Sequence, residues 1–134
     1  MKNLGEIENP YHITPAFLNG AEIRAAVMGK EYVRRSLENA HRDGETTLQQ
    51  LVTEFAWGTV WARPNLDRKQ RSLATVSMLI PQHRPMELAG HFRGALANGL
   101  TTEELHEVII HASVYCGFPA AQDARRQLME VLGK

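Results

Sequence analysis

The stretch TTEELHEVIIHASVYCG, residues 101–117, carries the signals of a single amphipathic helix. Thr101 and Glu104 have the spacing of a capping box, in which each side chain accepts a hydrogen bond from a backbone amide of the other residue. Gly117 is a helix stop, since glycine readily adopts the conformation that ends a helix. The apolar residues between these signals recur every three or four positions: Leu105, Val108, Ile109, Ala112 and Cys116.

The same period runs through the chain on either side, from Ala16 onward. Thr46 or Thr47 is predicted to cap a long helix that ends before Pro64, after a loop over residues 41–44. Asp67 is predicted to cap the next helix, and Pro119 suits the first turn of the last one. The helix that restarts after Pro81 and Pro85 has an apolar stripe at Met86, Leu88, Ala89, Phe92, Ala95 and Leu96.

No segment alternates apolar and polar residues between turn signals, as an exposed strand would. The sequence therefore predicts an all-α protein, a helical bundle of about six to seven helices. Residues 1–15 contain Asn9-Pro10 and Thr14-Pro15 and show no period. We interpret 1–15 as an extended arm, which a neighbouring subunit could order, and 16–134 as one helical domain.

Composition excludes several classes of function. The 134 residues include 15 basic and 15 acidic side chains, so the formal net charge is zero and no basic footprint for nucleic acid is present. The N-terminus has no apolar signal segment, and no stretch is long and apolar enough to span a membrane. The single cysteine, Cys116, excludes an intramolecular disulfide and a cysteine-only metal cluster. We expect a cytoplasmic protein without a metal site.

The most informative polar spacing is Arg84-Pro-Met-Glu87-Leu-Ala-Gly-His91. Glu87 and His91 are four residues apart and so meet on one face of a helix, with Arg84 near its start. A carboxylate beside an imidazole fixes its tautomer and raises its pKa, which suits proton transfer near neutral pH. The alternative is an ordinary surface Glu–His pair.

Other side chains have competing interpretations as well. Tyr115 and His111 could face a pocket or form a buried or interfacial pair. Trp57 shares a helix face with Trp61, a spacing typical of cores and subunit interfaces, although Trp57 could instead line a pocket. Cys116 lies on the apolar face, which favours a packing role. Three arginines lie close together in the sequence: Arg63, Arg68 and Arg71. They are either solvated or ion-paired surface residues, or at least one of them binds a carboxylate of the substrate. Four histidines without a partner pattern are predicted surface residues: His12, His41, His83 and His106.

Several strings taken together resemble the γ-carboxymuconolactone decarboxylases. The resemblance covers residues 17 to 132, and it depends on the order and spacing of the strings rather than on any one of them. They are Arg24-Ala-Ala-Val27-Met-Gly29, Phe55-Ala-Trp57-Gly58-Thr-Val-Trp61, Arg63-Pro-Asn-Leu66-Asp67-Arg68, His91-Phe-Arg93-Gly-Ala95, Asn98-Gly99-Leu100-Thr101 and Tyr115-Cys116-Gly117-Phe-Pro119-Ala120-Ala121.

The wider family includes AhpD-like proteins with a Cys-x-x-Cys-x-x-x-His signature. Here Arg84 and Glu87 stand where those relatives carry cysteines, as they do in the decarboxylase branch, so disulfide exchange by that route is excluded. The resemblance implies an AhpD-like helical fold, a homo-oligomer (a trimer or hexamer) and no cofactor. It also implies catalysis by His91 and Glu87, with the substrate held by Arg71, Arg84, Trp57 and Tyr115.

The implied reaction converts γ-carboxymuconolactone to the enol-lactone of β-ketoadipate, a step in aromatic compound catabolism. One segment, Ile80-Pro81-Gln82-His83-Arg84-Pro85, departs from the apolar, glycine-containing stretch usual in that family. Because its two prolines could reshape the entrance of the pocket, the resemblance does not determine the identity of the substrate. A family member acting on a different lactone or β-keto acid, by decarboxylation or a proton shift, is one alternative. A non-catalytic oligomer that binds a small molecule is another. A peroxidase partner cycling through disulfides would need Cys116 to pair between subunits.

Overall fold

The computed structural model describes residues 9–134, and within this range all regular structure is helical. A π-helical segment, Val52–Val60, continues α3, and a 3₁₀ turn, Ile80–Gln82, follows α4. The prediction of an all-α chain with six to seven helices is confirmed. The seven α-helices are α1 (Pro15–Met28), α2 (Lys30–Arg42), α3 (Thr47–Leu51), α4 (Arg68–Leu79), α5 (Pro85–Ala97), α6 (Thr102–Cys116) and α7 (Phe118–Val131).

The predicted capping residues account for most helix starts. The side chain of Asp67 accepts from the amide of Gln70, 2.8 Å away, and a full capping box forms. Thr101 and Glu104 form the second capping box at the start of α6. Gly117 has φ of +92°, a left-handed conformation that favours glycine, and it separates α6 from α7.

Three local predictions are wrong. Helix α2 continues through Arg42, so the loop predicted over residues 41–44 starts only at Asp43. Thr46 precedes α3 as predicted, but its hydroxyl makes no capping bond; the carboxylate of Glu45 accepts from the amide of Thr47 instead, at 2.6 Å. Met86 is 84% exposed and does not belong to the buried stripe of α5, because it lies in the first turn, before that stripe begins.

Residues 65–134 form one of the two compact units into which the chain divides. Helix α5 contacts both α4 and α7, and α6 contacts α7. Apolar side chains from all four helices are buried together, which explains why their periodicity is so clear in the sequence. The largest of them are Phe92, Leu105, Leu128 and Val76.

The other unit comprises the described residues up to Pro64. Its main contact is between α1 and the π-helical segment, and the two backbones come close where glycines leave room for them. A β-carbon on Gly20 would lie 1.9 Å from the carbonyl oxygen of Thr53, and one on Gly58 would lie 2.2 Å from that of Ala16. Arg24, buried in this unit, donates to Gln49 at 2.8 Å.

The predicted arm over residues 1–15 lies partly outside the described residues, which begin at Asn9. Tyr11 stacks on Phe17 with ring centroids 5.5 Å apart, and its hydroxyl donates to the carbonyl of Leu37 at 2.6 Å. Helix α1 begins at Pro15, after the capping residue Thr14. The predicted domain over residues 16–134 spans both compact units and stays a prediction. No helix among residues 9–134 has the length and apolar character needed to cross a membrane.

The close approach at Gly20 gives the first testable prediction. Alanine has a higher helix propensity than glycine by about 1 kcal/mol, which alone would stabilise α1. The Gly20→Ala variant should nevertheless lower the free energy of unfolding, by about 1–3 kcal/mol, because its methyl group would meet backbone rather than a movable side chain. Urea denaturation measures the change.

The matched control is Asn19→Ala, an exposed position on the same helix, for which we expect a change within about 0.5 kcal/mol. An unchanged or higher stability of Gly20→Ala would contradict the packing of α1 on the π-helical segment.

Candidate functional site

Helix α5 positions three of the residues singled out in the sequence. Arg84 occupies the capping position before Pro85, Glu87 lies exposed in the first turn, and His91 is half-buried one turn further on, with its Nδ1 atom buried. The interval of four residues places Glu87 and His91 on one side of the helix, and Arg84, whose backbone is not helical, lies just before its first residue. The structure therefore agrees with the spacing argument for Glu87 and His91, while their roles stay predictions.

The turn before α5 determines where Arg84 lies. Pro85 disfavours the helical conformation for the residue before it, and Arg84 accordingly has φ of −117° and ψ of 78°. His83 adopts the left-handed conformation, with φ of 55° and ψ of 49°. This conformation is uncommon for residues with a β-carbon, and it reverses the chain direction between α4 and α5.

Arg84 lines a cavity of about 260 Å³ on the surface of α7, which we call the α5–α7 cavity. Asp123 of α7 forms an ion pair with Arg126, and its second carboxylate oxygen lies 3.9 Å from Nδ1 of His83. The backbone carbonyl of Arg84 accepts from the amide of Leu88 at 2.9 Å, but its guanidinium makes no hydrogen bond or ion pair with any residue from 9 to 134. The remaining lining residues are mainly apolar: Leu79, Ile80, Pro85, Leu88, Ala124 and Gln127.

A second cavity, of about 600 Å³, lies along α6 and is called the α6 cavity here. Tyr115 lines it and is 77% exposed in the single chain, so a pocket and a subunit interface both stay predictions for it. Its ring lies 5.1 Å from that of His111, centroid to centroid. Cys116 also lines this cavity, half-buried and packed against the core of the unit, in agreement with a packing role.

The charge of the α6 cavity is negative. Glu104 and Glu107 line it, and no arginine or lysine does. The backbone amide of Thr101 donates to Glu104 and lowers the pKa of that carboxyl, with a smaller contribution from Lys69, whose Nζ is 3.8 Å away. The carboxylates of Glu104 and Glu107 make this cavity an unfavourable environment for an anion.

Arg71 lies on α4, half-buried, with its Nε atom buried. The residue after it, Ser72, is fully buried, and its hydroxyl accepts a hydrogen bond from the side-chain amide of Asn98 at 2.8 Å. Asn98 follows the last residue of α5 and lies two turns beyond His91. This bond fixes α4 against the end of α5, and so fixes the helices that carry Arg71 and His91.

Trp57 belongs to the other unit, where it is only 5% exposed. It stacks on Trp61 with ring centroids 4.7 Å apart, and it packs with Ile23 and Val27 of α1. The sequence interpretation of Trp57 as a core residue agrees with this burial. Its predicted contact with a substrate stays a prediction.

Three residues of the α5–α7 cavity were missed as candidates in the sequence. Asp123 and Arg126 were not singled out, and His83 was predicted to be an ordinary surface residue. Asp123 and Arg126 have the i, i+3 spacing of a helical ion pair, which could have identified them. No local sequence pattern could have identified His83 as a cavity residue, because its neighbour in the structure, Asp123, lies forty positions away in the chain. Among residues 9–134, no three histidine, cysteine, aspartate or glutamate side chains gather in a way that could hold a metal ion.

Comparison with known proteins adds independent information. A sequence model described as the carboxymuconolactone decarboxylase family matches residues 46–130. A nitrosuccinic acid decarboxylase of Metarhizium robertsii is 50% identical over 111 residues, which cover 81% of this chain and 75% of that protein. A 4-carboxymuconolactone decarboxylase of Acinetobacter baylyi is 43% identical over 115 residues, which cover 86% of this chain and 85% of that protein. Both of these relatives are decarboxylases.

Proposed function

Because the chain belongs to the carboxymuconolactone decarboxylase family and is a carboxy-lyase, we propose that it decarboxylates a small dicarboxylate whose departing carboxylate is attached to a carbon next to an electron acceptor. The observation that carries this proposal is that α5 holds Glu87 and His91 one turn apart on one side, with Arg84 just before its first residue. A guanidinium can hold one carboxylate, and a carboxylate–imidazole pair can supply a proton to carbon.

γ-Carboxymuconolactone is the first candidate substrate. When its γ-carboxylate leaves as CO2, the electron pair of the broken carbon–carbon bond moves through the ring double bond to the lactone carbonyl. A dienolate results, and a proton delivered to carbon gives the enol-lactone. The carboxylate of the side chain is retained throughout. The substrate itself accepts the electrons, so we propose that no cofactor takes part.

Nitrosuccinic acid is the second candidate, and the 50% identical relative favours it. Loss of CO2 from the carbon that bears the nitro group leaves a nitronate, in which the nitro group holds the electron pair. Protonation of that carbon then gives 3-nitropropanoate, which again retains one carboxylate. The two candidates share a departing carboxylate, a retained carboxylate and an acceptor, and they differ in the acceptor and in the carbon skeleton that carries it.

The chain's own residues would act as follows. Arg84, or Arg71 on α4, binds the retained carboxylate through paired N–H donors. Protonated His91 stabilises the anion as it forms and then donates its proton to carbon, while Glu87 orients the imidazole. Apolar and aromatic side chains would remove water from the departing carboxylate. The resemblance implies Trp57 and Tyr115 for this role, but Tyr115 lines the α6 cavity and Trp57 is buried in the other unit, so the proposed mechanism does not depend on them.

We also propose that the protein is a homo-oligomer, either a trimer or a hexamer, in the cytoplasm. Large apolar side chains remain exposed in each compact unit of the single chain, and burial between subunits would remove them from water. On α6 and α7 they are Ile110, Val114, Tyr115 and Phe118, and in the other unit they are Leu48, Leu51 and Phe55.

Size-exclusion chromatography with light scattering tests the assembly. We expect a mass three or six times that of the chain, and a monomer mass at micromolar concentration would contradict the proposal.

The reaction is tested by incubating the purified protein with each candidate in parallel and following CO2 release and the organic product. We expect turnover of one candidate to exceed that of the other by at least about tenfold in kcat/KM, the ratio that corresponds to about 1.4 kcal/mol of transition-state binding. Binding of both compounds without CO2 release would instead support a non-catalytic role. A proton shift without CO2 loss would support the other enzymatic alternative.

The role of His91 is tested by His91→Gln, which keeps a similar shape but cannot deliver a proton. Loss of a general acid lowers kcat by about 100- to 10,000-fold, and we expect a decrease in this range with little change in KM. His106→Gln is the matched control, since His106 is also half-buried and lies on α6, outside the candidate site.

A folded His91→Gln variant with wild-type turnover would remove His91 from the mechanism. Glu87→Gln should reduce kcat and shift the pH–rate profile, since the charged form of the imidazole would lose its partner. A non-catalytic binder would show only a modest change in affinity.

A further inference from the structure

We propose that the α5–α7 cavity is the subsite for the retained carboxylate, with Arg84 as its ligand and Asp123 as the residue that limits how tightly the carboxylate is held. This inference rests on the proposed function, because it assumes a substrate that keeps one carboxylate. It goes further by assigning α7 a role in substrate selection.

The first argument is the state of Arg84. Its guanidinium makes no hydrogen bond or ion pair with any described residue, yet it lines a concave surface with a mainly apolar floor. A guanidinium presents parallel N–H donors that match the two oxygens of a carboxylate. Apolar walls lower the local dielectric and strengthen that attraction.

The second argument is the contrast with the α6 cavity. That cavity is the larger of the two, but Glu104 and Glu107 line it without an arginine or lysine. Among the charged side chains that line the α5–α7 cavity, two arginines oppose one aspartate. A dianion would be repelled from the first cavity and attracted to the second, so charge rather than volume selects the site.

The third argument concerns Asp123. Its carboxylate pairs with Arg126 and lies 3.9 Å from Nδ1 of His83, so it offsets much of the positive charge of this cavity. The product of decarboxylation keeps the same carboxylate as the substrate. A fully positive subsite would therefore hold the product as firmly as the substrate, and partial neutralisation by Asp123 favours release.

The cavity lies beside the start of α5. Arg84 and Pro85 line it there, together with the buried side chain of Leu88. Glu87 and His91 do not line it, so the assignment concerns the retained carboxylate and not the reacting carbon.

The probe for this subsite is succinate, a dicarboxylate that has no acceptor and is not decarboxylated. Its dissociation constant is measured by calorimetry on the intact protein, at one fixed ionic strength, because exposed charges are screened by salt. Four proteins are compared: wild type, Arg84→Gln, Asp123→Asn and Arg125→Gln. Arg125 is an exposed arginine of α7 that lines neither cavity, so its variant controls for the change in net charge.

We expect Arg84→Gln to weaken succinate binding by about 10- to 100-fold, the effect of losing hydrogen bonds to a charged group. Asp123→Asn should tighten binding by about 3- to 10-fold, because it removes a repulsive charge and releases Arg126. Arg125→Gln should stay within about twofold of wild type, since an exposed charge outside the site contributes little. In turnover assays, Asp123→Asn should lower KM without raising kcat.

Tighter succinate binding by Asp123→Asn would distinguish the proposed role of Asp123 from a purely structural one. If Asp123 only stabilised the structure, its replacement would weaken succinate binding. Asp123→Ser is the second variant, for the case that the asparagine variant does not fold, and the same tightening is expected. Unchanged or weaker succinate binding in a folded Asp123 variant overturns the inference. The inference is also overturned if Arg84→Gln and Arg125→Gln weaken succinate binding equally. It is likewise overturned if the wild-type protein does not bind succinate.

The outcomes also separate this inference from the proposed function. If neither candidate substrate is decarboxylated but the succinate results are as expected, the carboxylate subsite stands and the proposed reaction falls. If decarboxylation occurs and both Arg84→Gln and Asp123→Asn keep the wild-type KM, the reaction stands and the subsite falls.

Discussion

The burial of Phe92 against α4 and α7 is the constraint on which the geometry of the second compact unit depends. Phe92 is fully buried and contacts an apolar core that includes Val76 and Leu128. Burial of such a side chain stabilises a fold by about 1.5–3 kcal/mol, so α5 cannot rotate about its axis without a large cost. Since Glu87 and His91 are on this same helix, the core determines the direction in which each of them projects, and Arg84 precedes its first residue.

The two prolines around the turn have complementary effects on the site. Pro81 lies in the 3₁₀ turn that ends α4, and Pro85 begins α5 while keeping Arg84 out of the helix. Between them His83 takes the left-handed conformation that closes the turn. In the sequence, residues 80–85 are only a departure from the family pattern. In the structure, this segment places the guanidinium of Arg84 at the edge of the α5–α7 cavity, beside α7.

Local signals in the sequence were sufficient for most of the fold. Asp67, Thr101 and Gly117 mark helix ends because capping depends on residues within one turn, and the apolar period identifies α4 to α7 for the same reason. The prediction failed where distant residues decide the structure. The backbone of the π-helical segment packs against α1 at Gly20 and Gly58. Gly58 lies within Val52–Val60, but its position in the sequence does not show which helix it contacts.

In the candidate site, too, local spacing predicted some contacts, and contacts between distant residues were missed. Glu87 and His91 could be placed together from their spacing, because a helix makes neighbours of residues four apart. The partnership of His83 with Asp123 could not, because it depends on how α7 packs against the turn. The spacing of Tyr115 from His111 likewise predicted that their rings lie together, but it could not predict the two carboxylates that line the same cavity.

Charge placement also bears on why one fold could serve substrates with different acceptors. In the proposed reaction the acceptor within the substrate takes the electron pair, so the protein need only hold the retained carboxylate, exclude water and supply one proton. None of these tasks requires close recognition of the acceptor. In both candidates the departing carboxylate and the retained carboxymethyl group are attached to the same carbon, so the distance between the two carboxylates cannot distinguish them. A preference between them would then come from the space that the protein leaves around the acceptor, whereas the proposed subsite at Arg84, with Arg126 neutralised by Asp123, would act on the part that both candidates share.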